Sequence, residues 1–68
     1  MSFTTGPKYS ASVTATEADI GDGQSADIIT IYRDGVEADT VYAAPASDLA
    51  EHTAAIREAG YPDFTWGR

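Results

Sequence analysis

The chain has 68 residues, a formal net charge of -7 and no cysteine. This length supports one small domain with a thin core and leaves no room for a second domain. The missing cysteines exclude disulfides and thiolate metal sites, and the negative charge disfavours direct binding to nucleic acid or to anionic membranes.

Residues 1–7 come before the first patterned segment, and we expect a poorly ordered lead-in with Phe3 as its docking residue. Residues 8–68 then form the single domain. No segment has the apolar run of a signal peptide or of a membrane span. The sequence therefore predicts a soluble, cytoplasmic protein.

Residues 9–16 alternate apolar and small hydroxyl side chains, which is the period of a half-buried strand. The predicted core-facing residues are Tyr9, Ala11, Val13 and Ala15. The predicted outward residues are Ser10, Ser12, Thr14 and Thr16.

Residues 17–25 contain two glycines, Gly21 and Gly23, that break the alternation, so the sequence predicts a loop. The nearby acids Asp19, Asp22 and Asp27 lack the spacing of a calcium-binding loop. The Gly-Asp-Gly run also lacks the lysine and the following helix of a phosphate-binding loop. We therefore predict neither a metal nor a cofactor here.

Residues 26–43 form the clearest unit of the chain, a hairpin of two β-branched and aromatic runs around Asp34-Gly35. A two-residue turn pairs Arg33 with Val36 and continues regularly from there. The core-facing residues are then Ile29, Ile31, Val36 and Ala38. The opposite, mixed face carries Ile28, Thr30, Tyr32, Glu37, Asp39 and Val41. A three-residue turn would set carboxylates opposite the best apolar residues, so we reject that register.

A helix is predicted from the N-cap Ser47 to about Ala59, where Gly60 permits a Schellman cap. Its apolar stripe, which we expect to cover Ile29 and Ile31, is centred on Leu49, Thr53 and Ile56. After the helix, Phe64 and Trp66 alternate with polar residues, which favours a short fourth strand or a segment folded back over the helix. The predicted fold is therefore α+β, a three-stranded antiparallel meander with one helix, in the order βββα with an optional short strand.

His52 is the only histidine, and Asp48 lies one helical turn before it, which predicts a pair between them. Ser47, Asp48 and His52 have the residue types of a hydrolytic triad. They lie within two turns of one helix, where they cannot surround a substrate. The sequence therefore predicts no enzyme.

The remaining signal is the mixed face of the hairpin, because one helix covers only one face of a three-stranded sheet. We predict a small, non-catalytic interaction module that forms a homodimer or binds another, basic protein through this face or an edge strand. The predicted partner-binding residues are Ile28, Thr30, Tyr32, Glu37, Asp39, Val41 and Trp66. The competing interpretation of Trp66, which the small size of the domain favours, is that its side chain closes the core.

The alternative function is an acidic inhibitor that imitates nucleic acid and blocks a basic groove on a DNA- or RNA-handling protein. It depends on the net charge and on Glu37 and Asp39 sharing one strand face near Asp34. Salt distinguishes the two functions, because binding by a mimic weakens steeply as ionic strength rises.

Overall fold

The computed structural model describes residues 8–67, so the predicted lead-in at residues 1–7 and its Phe3 lie outside the described part. The elements are β1 (Tyr9–Gly21), β2 (Gln24–Arg33), β3 (Val36–Ala43), α1 (Leu49–Glu58) and β4 (Thr65–Trp66). The sheet has the order β3-β2-β1-β4, with the first three strands of the chain antiparallel and β4 parallel to β1. The predicted α+β class and its βββα order are confirmed, and the optional fourth strand is present.

Residues 17–25 continue the first two strands, so the prediction of a loop there is wrong. Only Asp22 and Gly23 lie between β1 and β2. Their φ angles of 55° and 71° are the left-handed pair that a two-residue type I′ turn requires. The Asp-Gly pair here has the same turn chemistry as Asp34-Gly35, and it closes a long hairpin.

β1 is longer than β2, with 13 residues against 10, because it contains bulges. The register shifts after Val13, after Ala15 and after Asp19. The first shift pairs Ala15 with Ile28 and thereby moves Ala15 away from its predicted core-facing position. The second shift includes Glu17, whose φ of 50° turns its backbone out of the regular pleat.

The second hairpin has the predicted two-residue turn. Asp34 and Gly35 have φ angles of 52° and 84°, and Arg33 pairs with Val36. Val36 was expected in the core, but it is 68% exposed at the end of the ribbon. The turn chemistry is therefore confirmed, whereas the core position of Val36 is wrong.

The register of this hairpin changes at Ala38, which is an extra, exposed residue on β3. Tyr32 pairs with Glu37, whereas Ile31 pairs with Asp39, so Ala38 has no partner on β2. The bulge reverses the two faces of β3 from Asp39 onward, because side chains alternate with a period of two. The residues that it places on the same face as Ile29 and Ile31 are Asp39, Val41 and Ala43.

The covered side of the sheet, which we call the core face, holds one apolar cluster. Its buried residues are Ala11, Ile29, Ile31, Val41, Ala43 and Ile56. Tyr9, Ala55, Tyr61, Phe64 and Trp66 pack around this cluster and are partly buried. The core is therefore closed by α1 together with the segment that follows it.

The N-terminus of α1 is capped by Asp48, not by the predicted Ser47. The Asp48 carboxylate accepts the backbone N–H of Glu51 at 3.0 Å, while the Ser47 hydroxyl donates to the carbonyl of Ala44 at 2.7 Å. At the other end, Tyr61 N–H donates to the carbonyl of Ile56, in the pattern of the predicted Schellman cap.

The buried stripe of α1 is rotated relative to the prediction. Leu49 is 63% exposed, whereas His52 and Ile56 are buried. The rotation follows from a buried hydrogen bond of His52, which holds that side of the helix against the sheet.

The C-terminal segment pairs with the outer edge of β1 and supplies aromatic side chains to the core face. Thr65 pairs with Ser10 and Trp66 with Ala11. The ring of Phe64 meets that of Trp66 edge to face, with centroids 5.1 Å apart. Trp66 is thus half-buried among core residues.

Candidate functional site

The most highly connected polar group is the carboxylate of Asp27, which is fully buried on the core face. Its Oδ1 accepts the backbone N–H groups of Glu17 at 2.9 Å and Ala46 at 2.8 Å. Its Oδ2 accepts the N–H of Ser47 at 3.1 Å and Nε2 of His52 at 2.7 Å. One side chain therefore joins β1, β2, the β3–α1 loop and α1.

Local backbone geometry directs these donors inward. Glu17 lies in the second β1 bulge, opposite Asp27, and its positive φ turns its N–H toward the carboxylate. Ala46 has a φ of 54°, and this left-handed residue aims two consecutive N–H groups, its own and that of Ser47, at the same carboxylate. Consecutive N–H groups of this kind form an anion-binding concavity, which Asp27 fills.

The donors stabilise the charged form of Asp27. The hydrogen bond from His52 and then the bond from the Glu17 backbone lower the pKa of Asp27 from 3.8 to about 2, although burial acts in the opposite direction. Because an ionised carboxylate only accepts hydrogen bonds, Nε2 of His52 carries the hydrogen. The Asp27–His52 pair is therefore a satisfied, buried polar pair.

This pair replaces the predicted contact between His52 and Asp48. Asp48 is used as the helix cap, and the Ser47 hydroxyl is directed to a carbonyl, not to the histidine. The His52 ring lies 6.5 Å from the Trp66 ring, centroid to centroid, in an edge-on arrangement. These contacts hold α1 and β4 together on the core face.

The opposite side of the sheet, which we call the open face, is defined by three cross-strand rows. The rows are Ser10, Tyr32 and Glu37; Ser12, Thr30 and Thr40; and Ala15, Ile28 and Tyr42. Most of these side chains carry a hydroxyl group, and the single charged one is Glu37. α1 and the C-terminal segment lie on the core face, so they leave this side uncovered.

Four of the predicted partner-binding residues lie on the open face, but they differ in accessibility. Glu37 is exposed, and Ile28 and Tyr32 are half-buried. Thr30 is only 9% exposed, and its hydroxyl is hydrogen-bonded to that of Thr14 at 3.1 Å. Thr30 therefore supports the face from within and offers little surface of its own.

The other three predicted residues, Asp39, Val41 and Trp66, lie on the core face. The prediction that Asp39 and Val41 lie on the mixed face is therefore wrong. The Ala38 bulge turns both of them over, and Val41 is buried at 7% exposure. Trp66 packs on the same side in β4. The bulge brings Thr40 and Tyr42 to the open face in their place, with Tyr42 56% exposed.

Asp39 has a defined partner on the core side. The Tyr61 hydroxyl donates to its carboxylate at 2.5 Å, and Thr40 N–H donates to it at 2.7 Å. These bonds, that from Tyr61 first, lower the pKa of Asp39, and the same contact raises the pKa of Tyr61. A carboxylate opposite Ile31 is tolerated because β3 is an edge strand and Tyr61 reaches it.

The sequence contains a signal for the Asp27–His52 pair that periodicity alone makes visible. Asp27 has the same strand parity as Ile29 and Ile31, and His52 precedes Ile56 by one helical turn. Each is a polar residue in a core-facing stripe. Buried polar groups require partners, so two such residues on facing elements are expected to bond to each other.

Comparisons of the chain with protein-family profiles, with curated proteins and with solved structures find no match. Within residues 8–67, no three His, Cys, Asp or Glu side chains are grouped in a way that would hold a metal ion. No helix in this described part has the length and apolar character needed to cross a membrane.

Proposed function

We propose that this protein is a small, non-catalytic protein-binding module whose binding surface is the open face. The observation that carries the proposal is that α1 and the C-terminal segment leave this face uncovered, although it bears Tyr42, which is 56% exposed, and the half-buried Tyr32. Uncovered faces with exposed aromatic groups are typical of protein interfaces. The proposal includes the cytoplasmic location predicted from the sequence.

Two tyrosines are the candidates for the strongest contacts on this face. Tyr42 is 56% exposed and Tyr32 is half-buried, and they lie in different rows. Tyrosine combines a large apolar ring with a hydroxyl group, and it is enriched among the residues that contribute most to binding.

The face is a better candidate than either edge of the sheet. β3 is interrupted by the Ala38 bulge and carries Glu37 and Asp39. The other edge has β4 beside Ser10 and Ala11, and the remainder of β1 contains three register shifts. Bulges and charges on edge strands oppose the addition of another strand.

The two acids that motivated the nucleic-acid mimic do not share a face of the sheet. Glu37 pairs with Tyr32 on the open face, whereas Asp39 pairs with Ile31 on the core face. The two carboxylates therefore point to opposite sides of the sheet. Asp39 is also engaged by the Tyr61 hydroxyl. We therefore favour the protein-binding module.

The experiment is an affinity capture from host lysate with three matched baits. The baits are the wild type, the open-face variant Tyr32→Ser/Tyr42→Ser, and Leu49→Ser as a control. Leu49 is 63% exposed on α1, so its replacement removes a comparable apolar group away from the open face. We expect partners that the wild type and Leu49→Ser retain and the open-face variant loses. Equal capture by all three baits would refute the proposal. Folding of each bait is checked by circular dichroism.

A further inference from the structure

We propose that the open face binds an arginine side chain of a partner protein, with the guanidinium stacked on Tyr32 and paired with Glu37. This inference rests on the proposed function, because it names the chemistry of the partner for the same face. The structural basis is the cross-strand pair of Tyr32 and Glu37. Side chains that lie directly opposite each other in an antiparallel pair have Cβ atoms about 5 Å apart, within reach of one ligand group.

Glu37 is a carboxylate in a neutral environment. Its neighbours in the open face are hydroxyl, aromatic and aliphatic side chains. Within residues 8–67 the ion pair is that of Asp27 with His52, so Glu37 forms no ion pair with a basic side chain of these residues. A cation from outside therefore meets no competing partner among residues 8–67.

The chemistry of this pair favours arginine over lysine. A guanidinium is planar, stacks on an aromatic ring and donates two parallel hydrogen bonds to one carboxylate. An ammonium group is a compact point charge without a stacking face. A tyrosine ring beside a carboxylate offers a stacking surface and an acceptor for two parallel hydrogen bonds. Arginine can use both at once, whereas lysine cannot.

Charge argues against a second copy of this chain as the occupant. Two molecules of net charge -7 repel each other, whereas a basic partner is attracted.

The test is an amide-shift titration of the full chain, ¹⁵N-labelled, with two probes of equal charge, an acetylated hexa-arginine peptide and an acetylated hexa-lysine peptide. We expect the arginine peptide to shift the amides of residues 30–33 and 36–38 and to bind at least about threefold more tightly than the lysine peptide. Added salt should weaken both.

Two matched pairs of variants locate the contact. Glu37→Gln should weaken the arginine peptide about two- to fivefold, whereas Glu51→Gln, an exposed carboxylate on α1, should have little effect. Tyr32→Leu should abolish the preference for arginine, whereas Leu49→Ser, at an exposed apolar residue on α1, should retain it. A dispersed amide spectrum for each variant shows that it is folded.

Three results would overturn the inference. Equal binding of both peptides, with equal losses for the two glutamate variants, would indicate only diffuse charge attraction. Shifts confined to other surfaces would place the cation elsewhere. Open-face shifts that depend on protein concentration without peptide would identify a second copy as occupant. This last result leaves the proposed function intact, while equal capture by all three baits would remove both.

Discussion

The two faces of β2 show how one strand serves two different purposes. Asp27, Ile29 and Ile31 alternate along it with Ile28, Thr30 and Tyr32. The first set is fully buried under α1 and the C-terminal segment, and it includes the carboxylate that joins four parts of the chain. The second set lies on the uncovered side. The buried contacts that stabilise the fold are therefore concentrated on one face, while the other face remains uncovered.

The largest expected effect is that of Asp27→Ala. The substitution leaves the N–H groups of Glu17, Ala46 and Ser47 and the ring of His52 without their shared acceptor, and buried donors without partners are costly. We expect loss of the cooperative thermal transition in circular dichroism.

Asp63→Ala, at an exposed carboxylate, is the control for Asp27→Ala and should unfold as the wild type does. A cooperative transition of Asp27→Ala close to that of the wild type would show that the core face does not depend on this carboxylate.

Acid should weaken the fold through the same group. The pKa of Asp27 is lowered to about 2 in the folded protein from 3.8, so its contribution is fully present above about pH 4 and is lost as pH falls toward 2. We expect urea midpoints to fall over this range. Asp39, whose pKa is also lowered, contributes in the same direction, so Asp39→Asn separates the two groups. Midpoints that are flat between pH 4 and pH 2 would contradict the assignment.

The next prediction compares the loss of stability on truncating an isoleucine on each face of β2. Ile31 is fully buried, so Ile31→Ala should lower the free energy of unfolding by about 2 to 5 kcal/mol. Ile28 is half-buried on the open face, and Ile28→Ala should cost less than half as much. Urea denaturation measures both values. Equal losses would mean that the open face is part of the core.

The smallest effect is expected at Tyr42, next to the buried Val41 on β3. Tyr42→Ala should change the free energy of unfolding by no more than about 0.5 kcal/mol, whereas Val41→Ala should lower it by about 1 to 3 kcal/mol. A hairpin without the Ala38 bulge would place Tyr42 on the core face and Val41 on the open face, so the larger loss would then come from Tyr42→Ala. The pair therefore tests the register directly.

Local chemistry made the architecture predictable. The Asp34-Gly35 turn, the Schellman cap at Gly60 and the strand alternation of residues 9–13 each depend on side chains within a few positions of one another. The fold class and the core positions of Ile29, Ile31 and Ile56 follow from these signals. Asp22-Gly23 carries the same turn signal and marks the hairpin that the loop prediction missed.

The bulges were not predictable in the same way, because they depend on what a strand meets across the sheet. Ala38 is an extra residue where Asp39 can reach Tyr61, and the β1 bulge turns Glu17 N–H to Asp27. Each bulge positions a hydrogen-bonding group for a partner that is distant in the sequence. The composition of the candidate site depends on one of them, since Ala38 exchanges Asp39 and Val41 for Thr40 and Tyr42.

The most direct measurement uses the five isoleucines as reporters of the two faces. A methyl spectrum of the isolated, isoleucine-labelled protein is recorded with and without a soluble paramagnetic agent, at low and high protein concentration. We expect strong broadening of Ile20 and clear broadening of Ile28, with Ile29, Ile31 and Ile56 protected. Protection of Ile28 equal to that of Ile29 in the dilute protein would contradict an open face.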